Sequence, residues 1–133
     1  MLNEDLIEMA FIDQLRGQGF EFHHGPDIAP DSDNPQRKNF DSVVLENELL
    51  KAIEKLNPEV PSSAINEAYQ KVLNLGTEEI MENNERFHTY LTNGVPVEFT
   101  KDGASKGVNV DLLDIESPEN NTYWVVNQLV IKE

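Results

Sequence analysis

The residues of this chain that could do chemistry are few and scattered. His23-His24, with Asp27, Asp31 and Asp33 close behind, have the composition of a metal cluster, because imidazole and carboxylate oxygens are common metal donors. Adjacent residues at the end of a strand point to opposite faces, however, so the two rings cannot easily share one ion and the group reads as a polar loop. His88 lies beside Phe87 with no Ser or Cys nucleophile paired to it, and it reads as a buried, hydrogen-bonded histidine rather than a base. Asn127-Gln128 interrupts an apolar run. Two neighbouring amides there must find partners or cost stability, so one is expected to face a polar site or loop, with bonds to hairpin backbone as the simpler role. Tyr123 and Trp124 could stack on a base, but beside the valines they read as core. Gly103-Ala104-Ser105-Lys106-Gly107 has the composition of a phosphate loop without its spacing, and reads as a turn between strands.

Composition narrows the function classes further. At 133 residues the chain is expected to form one domain at most, with a moderate core. It has no cysteine, which excludes disulfides, thiolate metal sites and a Cys nucleophile. Its net charge of -15, from 25 acidic and 10 basic residues, opposes a phosphate backbone, so the chain is not expected to hold DNA by itself. No apolar run approaches the roughly 18 to 20 residues of a membrane helix. Met1-Leu2-Asn3-Glu4-Asp5 lacks the charged start and small-residue cleavage site of a signal peptide, which gives the cytoplasm as the expected compartment.

The elements that must position these groups follow from periodicity. Asn3 is a candidate N-cap for a helix whose stripe holds Leu6, Ile7, Ala10, Phe11 and Leu15, widened by Met9 and Ile12 and closed by Gly17 and Gly19. A short strand is expected at Phe20–His23. Residues 25 to 39, rich in Pro, Gly and Asp, are expected to form a long exposed loop, without helix or strand. A second helix spans about Ser42 to Leu56, burying Leu45, Leu49, Ala52, Ile53 and Leu56, and Asn57-Pro58 stops it. Pro61-Ser62-Ser63 opens a third helix with Ile65, Ala68, Tyr69, Val72 and Leu73 inward. Thr77, Glu78 and Glu79 open a fourth, carrying Ile80, Phe87 and Leu91 to a cap at Asn93-Gly94. The period then changes to two: Val95, Val97 and Phe99 precede a Lys101-Asp102-Gly103 turn, and Val108, Val110 and Leu112 follow it. After a turn at Ser117–Asn120, Tyr123–Glu133 reads as a buried terminal strand, making three consecutive strands an antiparallel meander. A strand this apolar with no finishing turn suggests a longer protein, and it could support self-association through an unpaired edge.

Asn57-Pro58, Ala64-Ile65 with Ala68, Asn84 with Phe87-His88, Leu91, Gly94-Val95, Val97-Glu98 and Val126-Asn127-Gln128 occur in this order between about Glu4 and Ile131. Together they resemble the amino-terminal segment of the type I restriction enzyme R subunit, with an insertion-like stretch near residues 23 to 39. The resemblance implies a fold that is α+β as it stands, helices packed on the meander, forming a truncated part of a restriction-endonuclease-like α/β nuclease domain. It implies a PD-(D/E)xK nuclease site, in which an Asp and a Glu-x-Lys pair hold Mg²⁺. No Asp or Glu here has a Lys two positions later; the family places that motif downstream, so residues 1–133 are expected to be a catalytically incomplete portion. The ATP-driven motor also lies in a later domain by resemblance, and the implied partners are DNA and the modification and specificity subunits. Glu8 sits where the R-subunit pattern repeats a first-helix Glu, which in many such nucleases approaches the metal; otherwise it is a solvated carboxylate. Asn127 and Gln128 are candidate supports of the same centre. The alternative is a stand-alone acidic module that binds a protein or mimics DNA charge; a third reading is a nuclease relative whose active site has decayed.

Overall fold

The structure, a computed structural model, describes residues 3–76 and 79–132. The leader reading at Met1 and Leu2, the helix opening at Thr77 and Glu78, and the terminal Glu133 lie outside the described residues. The chain divides into two compact units, Met1–Glu46 with Thr122–Glu133, and Asn47–Asn121. The class is α+β. No described helix is long and apolar enough to cross a membrane.

The first unit is made from both ends of the chain. Helix α1, Glu4–Gly17, begins where Asn3 accepts a hydrogen bond from the Leu6 amide at 2.9 Å, which satisfies one of the free first-turn donors. Glu4 and Asp5 occupy the positive end of its dipole. Strand β1, Glu21–His24, follows and leads directly into a 3-10 turn at Gly25–Ile28, with Pro26 at its start. Beyond Ile28 the segment 25–39 holds no helix or strand and most of it is exposed, as composition leads one to expect, but it is not exposed throughout. Gly25, Ile28, Ala29, Gln36 and Arg37 are buried, because its polar residues bond within the segment: Ser32 to the Ala29 carbonyl at 2.7 Å and the Gln36 amide to the Ile28 carbonyl at 3.1 Å.

The second unit holds the apolar core. Helices α2 (Glu46–Leu56), α3 (Ser62–Leu73) and α4 (Ile80–Asn93) precede a hairpin of β2 (Val95–Lys101) and β3 (Ala104–Val110). Ala64, Ile65, Ala68 and Val72 put one face of α3 against β2, whose Val95 and Val97 point inward while Pro96 and Glu98 point out. Ile53, Val110 and Leu112 complete the core. Asp102 and Gly103 both take positive φ, 53° and 79°, as a two-residue turn matching strand twist requires, and Gly is suited to it. Gly94, φ 84°, closes α4 through its amide to the Tyr90 carbonyl at 3.0 Å. Asn57 is buried and bonds the Ile53 carbonyl at 2.8 Å and both backbone groups of Asp111 at 2.9 Å, so it caps α2 while pinning the strand exit.

Four expectations fail here. The α2 helix starts at Glu46 rather than Ser42, leaving Leu45 half-buried ahead of it. Helix α4 has no buried residue: Ile80 is 74% exposed and His88, expected to be buried, is exposed, because only Asn83, Tyr90 and Leu91 turn inward. The meander stops at two strands. Residues 111–121 close on themselves, with Asp114 and Asn121 exchanging backbone and amide bonds at 2.8 and 2.9 Å, so the chain does not double back onto β3. The last strand, β4 (Trp124–Asn127), instead pairs in parallel with β1 in a separate two-stranded sheet. It ends after four residues because Gln128 adopts φ 48°, a left-handed conformation that breaks an extended course. Leu129, Val130 and Ile131, expected to be buried, are exposed.

Candidate functional site

Of the groups singled out by chemistry, His23, His24, Tyr123, Trp124, Asn127 and Gln128 lie on or beside the β1–β4 ladder of the first unit, whereas Asp27, Asp31 and Asp33 follow it as exposed residues and His88 and Gly103–Gly107 belong to the second unit. Its register pairs Glu21 with Trp124, Phe22 with Val125, His23 with Val126 and His24 with Asn127, and the Glu21 amide extends it to the Tyr123 carbonyl at 2.8 Å. Parallel pairing requires a crossover between the strands; in chain order the whole second unit supplies it.

The two histidines take different partners, as strand alternation dictates. His23 stacks on the Trp124 indole, ring centroids 3.6 Å apart and 26° between planes, and its Nε2 lies 3.4 Å from a Glu21 carboxylate oxygen. His24 meets Asn127 on the other side, Nδ1 to Oδ1 at 2.9 Å. Since the amide oxygen only accepts, Nδ1 of His24 is the donor in this bond. The pair thus belongs to a strand, half-buried, and not to a polar loop. Asn127 serves a side-chain partner on β1 instead of hairpin backbone. Trp124 is half-buried, while Tyr123 is 39% exposed and packs on Phe20 at 5.4 Å.

Gly25 shows how tightly the chain passes at the end of this ladder. A Cβ there would sit 2.4 Å from the Gln128 carbonyl oxygen and 2.5 Å from that of Asn127, so only glycine permits the approach. Gln128 itself is exposed; its backbone carbonyl is what passes close to Gly25, just after β1. Beyond it, the Lys132 amide bonds the Phe40 carbonyl at 3.0 Å and the Lys132 ammonium lies 4.4 Å from the Phe40 ring centre.

Glu8 lies on α1 in the same unit. Only Ile12 is buried on this helix, and only Glu8 and Leu15 are half-buried; these three follow the i, i+4, i+7 spacing of one face. Leu6, Ile7, Met9 and Phe11 are at least half exposed. The helix therefore turns Glu8 inward beside Ile12 and Leu15 of the expected stripe, and leaves the other apolar residues of that stripe exposed. Among the described residues, no three His, Asp or Glu side chains gather into a set that could hold a metal ion. The donors present do not fit a complete Mg²⁺ centre.

Nothing in the sequence marked Gly25, Arg37 or Phe40 as part of this region, although an Arg and a Phe amid loop-forming residues of an acidic chain are the kind of signal that invites a structural partner. The arrangement of α1, β1 and β4 draws on both ends of the chain, and a match to the family described as type I restriction enzyme R protein N terminus covers residues 1–133. The chain belongs to that family. It is 33% identical over 132 residues to the type I restriction enzyme HindI endonuclease subunit of Haemophilus influenzae, a match covering 99% of this chain and 12% of that protein. It is 30% identical over 132 residues to the putative type I restriction enzyme MjaIXP endonuclease subunit of Methanocaldococcus jannaschii, covering 98% of this chain and again 12% of the relative. The chain thus spans a small part of the length of these family members. No solved structure matches it at a significant level. The family resemblance carried by Asn57-Pro58 and Val126-Asn127 acquires physical reasons: Asn57 pins Asp111 and Asn127 holds His24.

Proposed function

We propose that this chain is the amino-terminal portion of the endonuclease domain of a type I restriction enzyme R subunit. In this reading the longer protein cleaves unmodified DNA with Mg²⁺ and moves along it with ATP, in the cytoplasm, together with modification and specificity subunits. Residues 1–133 contain no Glu-x-Lys pair, so the portion is not active alone. The observation that carries the reading is the family match over residues 1–133 joined to the 12% share of two endonuclease subunits.

Within that domain, Glu8 is the first-helix carboxylate directed toward the nuclease centre. Its support is the inward face it shares with Ile12 and Leu15. Asn127 and Gln128 act beneath the same centre, one through the His24 bond and the other through the backbone turn against Gly25. Self-association through the free edge of β4 belongs to this reading as well; a strict monomer by sedimentation at high concentration removes it.

The net charge of -15 favours one rival, a stand-alone acidic module that binds a protein or mimics DNA. The reading frame past codon 133 separates the two. The nuclease reading requires an Asp, then a Glu-x-Lys within several tens of codons, and later a phosphate-loop ATPase sequence. A stop codon at 134 supports the rival, and the same frame with the Lys replaced supports a decayed nuclease.

A further inference from the structure

A buried cation in the first unit has no part in the reading above. Arg37 is 3% exposed. One terminal nitrogen of its guanidinium donates to the Ser42 carbonyl at 2.7 Å and the Phe40 carbonyl at 3.5 Å, and the other donates to the Val130 carbonyl at 3.0 Å. It joins no ion pair with a carboxylate among the described residues. Removing a guanidinium from water is costly; carbonyl dipoles and the Phe40 ring, 6.0 Å from the guanidinium carbon, offset it weakly, and its Nε has no hydrogen-bond partner among the described residues. Stability is therefore a poor reason for an arginine here. Geometry is a better one: the planar fork sends its N–H groups in fixed directions, and here they tie two stretches of backbone far apart in sequence.

The place where it acts is specific. Gln128 has just turned the chain out of β4 through its left-handed conformation, and residues 129–132 have no ladder to follow. The Arg37 bond to Val130 and the Lys132 contacts with Phe40 are what hold this stretch to residues 37–42. We infer that Arg37 is a positioning residue: it fixes the course on which the polypeptide leaves β4. In the longer protein that course sets where the following residues arrive relative to β1. The consequence for cleavage rests on the proposed nuclease reading, whereas the clamp itself does not.

Hydrogen exchange on the 133-residue chain tests the clamp. The Lys132 amide, bonded to Phe40 and not to Arg37, is the reporter; the Glu21 amide, bonded to Tyr123 across the ladder, is the control. Arg37→Met and Arg37→Lys should each speed exchange at Lys132 by about tenfold or more while Glu21 changes by less than about twofold. Lysine keeps charge and stem but cannot fork, so its variant decides the matter if the Met variant fails to fold. Unchanged exchange at Lys132, or equal loss at both amides, overturns the inference. In the longer reading frame, Arg37→Lys should lower kcat for DNA cleavage by about tenfold with KM within about twofold; a loss in KM alone contradicts it. If the unaltered longer protein does not cut, the nuclease reading fails and the exchange result still judges the clamp.

Discussion

The two units of this chain are held together by different physics. The second has nine buried apolar side chains in one cluster, with Ile53, Ala68, Val95 and Val110 completely covered. Among the described residues, the first buries only Ile12, Ile28 and Ala29 of its apolar side chains, alongside the polar Gln36 and Arg37. What it has instead are directional contacts: the His24–Asn127 bond, the His23–Trp124 stack, the Arg37 fork and the close pass at Gly25. Apolar packing tolerates exchange of similar shapes. Directional contacts do not, and they place backbone and side chains more exactly than a core of interchangeable methyls. The unit that carries Glu8, Asn127 and Gln128 is the one built for placement.

That contrast can be broken most forcefully in the apolar unit. Ile53 is fully covered, and Ile53→Ala should cost about 2–5 kcal/mol through lost transfer energy and a residual cavity. Denaturant unfolding measures the loss, and exchange at amides of residues 47–121 should show it first. A cost under about 1 kcal/mol would mean that this cluster is not the principal core.

A smaller effect is expected in the first unit, from one methyl group. Gly25→Ala places a carbon against two backbone oxygens that belong to the adjoining strand exit, and overpacking of this kind costs about 1–3 kcal/mol. Because backbone rather than a flexible side chain is struck, the β1–β4 ladder must yield. Exchange at the Glu21 amide and fluorescence of Trp124, the single tryptophan, should both report it, with unit-two amides little changed. An alanine variant with an intact ladder would show that the pass at Gly25 is not tight.

The pattern of what the sequence disclosed follows the same division. Period and punctuation revealed α1, α3, the hairpin with its Asp102-Gly103 turn and the Gly94 cap, because each is a local matter of cap, turn or alternation. Composition foretold a mostly exposed stretch at residues 25–39 but not the burial of Ile28, Ala29, Gln36 and Arg37 within it, since Ser32, Asn34 and Gln36 bond inside the segment and a count of prolines and aspartates does not reveal who bonds whom. The parallel pairing of β1 with β4 was illegible for a different reason. Strands far apart in sequence carry no local signal of their partner, whereas the hairpin β2–β3 does. Glu8 was legible as a candidate only through family resemblance; its inward position depends on which face α1 buries, and the apolar stripe put Ile12 and Leu15 on that face without singling out Glu8. Asn127 was recognised as an amide in need of a partner, but His24 could not be named before the register was known.

The smallest effect concerns pH and lies in the loop that ends the second unit. The Asn120 side chain and the Ser117 amide donate to the Asp114 carboxylate at 2.8 and 2.9 Å, and these bonds hold its pKa below the ordinary aspartate value, against a small opposing effect of burial. A carboxyl whose folded pKa is depressed contributes stability that is present above its unfolded pKa and disappears as pH falls through the folded one. The loop at residues 114–121 should therefore loosen below about pH 4, seen as faster exchange at the Ser117 amide after correction for intrinsic rates. Asp114→Asn should remove most of that pH dependence. An unaltered slope in the variant would assign the acid sensitivity to other carboxylates.

The central claim, that residues 1–133 are the non-catalytic opening of a nuclease domain, meets its most direct test in one side-by-side assay. The 133-residue chain and its longer reading frame are given unmodified DNA with Mg²⁺, ATP and the modification and specificity subunits. The account predicts chelator-sensitive cutting by the longer protein and none by the 133-residue chain. Cutting by the short chain, or none by either, would contradict it.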